Sequence, residues 1–102
     1  MEEIKFLWAE FLAQPFPTGY VGNGDLAELD IDLAELDTFA AGCISTYVSQ
    51  QGNIDKDRVA VLKECVKKLK TLSKLFDDKN LERKAYAIQL LVLCEKVILA
   101  SE

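Results

Sequence analysis

Six carboxylates crowd into the stretch from Asp25 to Asp37, and four lysines, Lys63, Lys67, Lys70 and Lys74, recur at helical spacing further along the chain. Asp25, Glu28, Asp30, Asp32, Glu35 and Asp37 are residue types that can bind a divalent cation or form an acid–base pair. Their spacing fits neither use well. A calcium loop alternates its oxygen ligands around a central glycine and ends on a glutamate, an order that this run does not follow. The expected role is a solvated helix face with capping aspartates, and a candidate surface for a basic protein partner. Such a face would speed encounter with that partner at low salt.

The four lysines form one narrow basic stripe if their segment is a helix, and Lys68 falls outside it. As a phosphate track the stripe lacks arginine and interleaved aromatics, and a net charge of −5 repels nucleic acid. No nucleic-acid partner is expected. The stripe can instead lie near the acidic run, of the same molecule or of a second copy. Charge is lopsided: residues 1–37 carry nine acids against Lys5 alone, and the remainder is net basic.

Nucleophilic chemistry finds few parts. The chain has no histidine, so Ser45, Thr46, Ser49 and Ser73 lack their commonest general base, and no nucleophile elbow or glycine-rich phosphate loop occurs. Cys43, Cys65 and Cys94 are an odd number at wide spacings inside apolar helical runs. They read as buried reduced thiols, not as a disulfide framework or a zinc site. The expectation is a protein that is not an enzyme and carries no cofactor or metal.

Ile4, Leu7, Trp8, Phe11 and Leu12 mark the apolar face of a helix over 3–13, which Pro15 ends. The hexapeptide Asp-Leu-Ala-Glu-Leu-Asp at 25–30 repeats at 32–37. Its leucines continue through Ala40, Cys43 and Tyr47 at alternating three- and four-residue steps. One helix over 25–51 competes with a short helical turn at 25–31 followed by a main helix over 33–51. Aspartate is a poor residue inside a helix and a good cap, so the break is favoured. Helix three spans 56–76 with Asp55 as N-cap and Val59, Leu62, Val66, Leu69, Leu72 and Phe76 inward. Helix four spans 81–100.

Three features stand outside this scheme. The segment 14–24 is punctuated by Pro15, Pro17, Gly19, Gly22 and Gly24, yet holds Phe16 and Tyr20. These aromatics either plug the end of the bundle or cover a ligand site against the small-residue patch around Gly42. A glycine inside a helix costs about 1 kcal/mol, so a close neighbour is expected there. Helix four is apolar on most sides, and Ile88, Leu91 and Val92 point away from Leu90, Leu93 and Val97. It is therefore either central to the fold or buried in part against another copy.

Together these patterns predict a single all-α domain, a compact four-helix bundle with a short extra helical turn near 25–31. The acidic start Met1-Glu2-Glu3 and the lack of a long apolar run favour a cytoplasmic location without a membrane partner. The expected function is a non-catalytic protein-interaction module, alone or as a homodimer. An immunity-protein-like neutraliser of a basic partner is the first alternative, by analogy of size, charge and helicity. A ligand-binding protein or enzyme with its site under the 14–24 loop is the second.

Overall fold

The computed structural model describes residues 2–17, 24–76 and 80–101; for 24–28 and 30 it describes the backbone alone. Tyr20 and the side chains of Asp25, Glu28 and Asp30 fall outside that description. Four helices make up the described fold, an all-α bundle: α1 (Glu2–Leu12), α2 (Gly24–Ser49), α3 (Lys56–Leu75) and α4 (Leu81–Ser101). Among the described residues there is no strand, and no helix is long and apolar enough to cross a membrane.

Helix α2 corrects the favoured break. It runs unbroken through both copies of the hexapeptide, 26 residues that reach from end to end of a molecule 41 × 24 × 17 Å in extent. The aspartates weaken the helix locally by a few tenths of a kcal/mol each. Burial outweighs that cost: Leu33, Leu36, Ala40, Ile44 and Tyr47 lie along one face in the core. A buried leucine contributes about 1.5–3 kcal/mol.

The end of α2 and the start of α3 are set by short-range bonds. The Gly52 N–H donates to the Tyr47 carbonyl at 2.8 Å, closing the helix in the 6→1 manner of a Schellman turn. Gly52 has φ +96°, and a Cβ there would sit against the Tyr47 ring. Asp55 then caps α3 as expected, its carboxylate accepting from the Arg58 N–H at 2.8 Å and from the Arg58 guanidinium at 2.6 Å. The short 50–55 connection makes α2 and α3 antiparallel neighbours.

Helix α4 is the central rod. It packs against all three other helices, most extensively along α3, which is why it needs so few polar faces. Ala87, Leu90, Cys94 and Val97 are fully buried. At one end of the bundle the aromatic rings collect around Tyr86. Phe11 lies 4.7 Å from it in a tilted arrangement, and Phe16 meets it edge-on at 5.3 Å.

Candidate functional site

Phe39 has no place in the apolar seam of α2. Leu36 and Ala40 point inward, and at about 100° per residue Phe39 stands roughly 60° round the helix from Leu36, on the flank that faces α3. Its ring is 60 % exposed. On α3 the row Val61, Glu64, Lys68, Thr71 and Leu75 follows the same logic, one step aside from the buried row Leu62, Cys65, Leu69 and Leu72. The two flanks bound a groove along the hairpin.

Phe39 divides that groove in two. Towards the start of α2 lies a hollow of about 500 Å³ walled by Asp32, Glu35 and Phe39 on one side and Lys67, Lys68 and Leu75 on the other. Beyond Phe39 a second hollow of about 360 Å³ is lined by Ala60, Val61, Glu64 and Cys65. Leu36 lies in the floor of both. Leu75 is 56 % exposed, so an aromatic and an aliphatic side chain share one concave strip. Single exposed apolar residues such as Leu99 are ordinary; two in one groove are a contiguous patch.

The walls of this groove differ in charge. Asp32 and Glu35 belong to α2, Lys67 and Lys68 to α3. Lys67 pairs with Glu64 on its own helix at 3.4 Å, whereas Asp32, Glu35 and Lys68 have no ion-pair partner among the described residues. The lysine stripe is accordingly divided in its duties. Lys67 borders the α2 groove, and Lys70 reaches Glu95 of α4 at 3.9 Å.

The remaining acid of the run, Asp37, departs from the solvated face expected of it. It is half-buried between α2 and α4, and its Oδ2 accepts a hydrogen bond from the Tyr86 hydroxyl at 3.1 Å. Its Oδ1 is buried with no hydrogen-bond partner among the described residues. Burial raises the pKa of Asp37, and the Tyr86 bond opposes the rise. Burial also raises the Tyr86 phenol, followed by the charge of Asp37 and the bond to it.

Of the suggested ligand site, Gly42 and Phe16 are described and Tyr20 is not. An added Cβ at Gly42 would meet nothing within 4 Å, which corrects the expectation of a close neighbour, and Phe16 is occupied with Tyr86. Ile88 and Val92 line a smaller groove of about 230 Å³ between α1 and α4, bridged by the Gln14–Gln89 side-chain hydrogen bond. They are 42 % and 38 % exposed, while Leu91 turns partly into the core. The α1–α4 seam is also tied by Lys96, which donates to Glu3 at 2.6 Å and holds the Glu3 carboxyl below its usual range.

All three cysteines are buried free thiols on three different helices, with pKa values raised chiefly by that burial. Among the described residues no group of three cysteine, histidine or acidic side chains is placed to hold a metal. The residue that sequence reasoning missed is Phe39. Its signal was there: an aromatic one step off a seam whose other members are aliphatic or small.

Comparison of the chain with protein-family models, with curated proteins and with solved structures finds no match in any of the three.

Proposed function

We propose that this chain is a non-catalytic protein-interaction module that docks its partner along the α2–α3 groove. The observation that supports the reading best is Phe39, an aromatic ring left 60 % exposed between two apolar hollows. Covering a side chain of this size is worth about 1.5–3 kcal/mol. An exposed ion pair contributes about 0–1 kcal/mol. On those magnitudes Phe39 and Leu75 supply affinity, and the charged walls supply orientation. Aromatic residues in desolvated pockets are the usual centres of binding energy in protein interfaces.

The non-catalytic half of the proposal draws on side-chain chemistry. The thiols are buried and raised in pKa, so they are poor nucleophiles at neutral pH. Asp37, whose pKa burial raises, is engaged with Tyr86 in the packing between helices. The steering of a basic partner by the acidic run gains less support, because Lys67 and Lys68 stand beside Asp32 and Glu35 and offset their field.

Affinity capture with the purified chain tests the reading. A partner held by the wild type and lost with Phe39→Asp supports it. A partner held equally by both proteins, or lost only when Ile88 and Val92 are changed, contradicts it. Phe39→Asp itself should leave stability within about 0.5 kcal/mol, as expected of an exposed position.

A further inference from the structure

The arrangement of charge across the groove says what kind of partner fits it. The acids stand on the α2 wall and the lysines on the α3 wall, at the same height along an antiparallel hairpin. Consider a second copy laid face to face on the first, related by a two-fold axis parallel to the helices. That operation places α2 of one copy over α3 of the other without shifting their height. Asp32 and Glu35 then meet the partner copy's basic wall, and Lys67 and Lys68 meet its acidic wall. Each contact among these four charges occurs twice, and none of the four opposes a like charge; Glu64, further along the α3 wall, is paired with Lys67 of its own helix. A closed two-fold interface requires a surface that complements itself in this way. A groove with one sign of charge on both walls would favour a different molecule.

We propose that a second copy of this chain covers the α2–α3 groove, forming a two-fold dimer in which the acidic wall of each copy lies on the basic wall of the other. This inference rests on the reading of the groove as a docking face, and it names the occupant. The shape agrees with the charge. Under that operation the Phe39 side chains of the two copies stand at the same height, side by side between the hollows of about 500 and 360 Å³, and each covers the other's exposed ring.

The unpaired state of the walls supports the same occupant. Asp32, Glu35 and Lys68 share one groove in a single copy yet make no ion pair among the described residues. Their partners in the dimer come from the other chain, at a rim where charge sets orientation more than strength. Phe39 and Leu75 remain the source of affinity.

Sedimentation equilibrium with two charge-swapped proteins tests the arrangement. One carries Asp32→Lys and Glu35→Lys, the other Lys67→Glu and Lys68→Glu. The wild type should be a dimer in reversible equilibrium. Each variant alone should dimerise at least about tenfold more weakly, because both copies of each contact become repulsive. An equimolar mixture should regain wild-type association as a heterodimer, since each reversed wall again meets its opposite. Circular dichroism checks that both variants remain helical. If either does not, the wild type decides the matter: several-fold weaker dimerisation at high salt supports the proposal, and salt-independent dimerisation overturns it.

A wild type that is monomeric at every concentration overturns the dimer. So do folded variants that dimerise as the wild type does, or a mixture that fails to recover. These failures are separable from failure of the docking face. A monomeric wild type whose captured partner is lost with Phe39→Asp keeps the docking face and removes the second copy as occupant. A dimer that survives both Phe39→Asp and the charge swaps removes the groove from both readings.

Discussion

Asp37 and Tyr86 join α2 to α4 by a single hydrogen bond in a half-buried setting, beneath the rings of Phe11 and Phe16. Burial raises the Asp37 pKa, so the folded state holds its proton more tightly than the unfolded state does. The stability contributed by Asp37 is therefore full below its unfolded-state pKa and is lost as pH rises through the folded-state value. Asp37→Asn keeps an oxygen that can accept from Tyr86 and cannot ionise. Measured by urea unfolding, the stability of this variant relative to wild type should increase from about pH 3 to about pH 7. A flat or falling difference would mean that Asp37 is well solvated when charged. The sequence offered no route to this pair, because Asp37 reads as one more acid in a solvated run. Its inward turn follows from its position beside the buried Leu33, Leu36 and Ala40 on a helix that does not break.

Helices α1, α3 and α4 were legible because each is amphipathic or apolar with an identifiable start or stop, such as Pro15 after α1 and Asp55 before α3. The extent of α2 was not. Local propensity favours a stop at each aspartate, whereas the continuous α2 depends on contacts with α3 and α4 that lie far away in sequence. The same separation hid the groove. Phe39, Lys68 and Leu75 belong to one surface only after the hairpin has closed, and nothing local to Phe39 reveals which flank α3 will occupy. Gly42 belongs to this scale too. It lies inside α2, is exposed, and has open space where a side chain would go. Gly42→Ala should stabilise the fold by about 0.5–1 kcal/mol, read as a higher urea midpoint with unchanged m-value. A loss of stability instead would show that a neighbour packs on Gly42 in solution.

At the scale of the whole molecule, the central place of α4 among the other helices accounts for its buried residues, while Ile88 and Val92 stay part-exposed beside α1. The two outer seams then differ in kind. The α1–α4 seam is tied by Lys96–Glu3 and bridged by Gln14–Gln89, while the α2–α3 seam keeps an aromatic and unpaired charges at its surface. That contrast marks the α2–α3 seam as the proposed interface, and nuclear magnetic resonance on dilution tests this directly. Amide and methyl signals of Phe39, Val61, Lys68 and Leu75 should shift together as the protein is diluted, while those around Ile88 and Val92 stay in place. Dilution shifts centred on Ile88 and Val92, or an unchanged spectrum at every concentration, would contradict it.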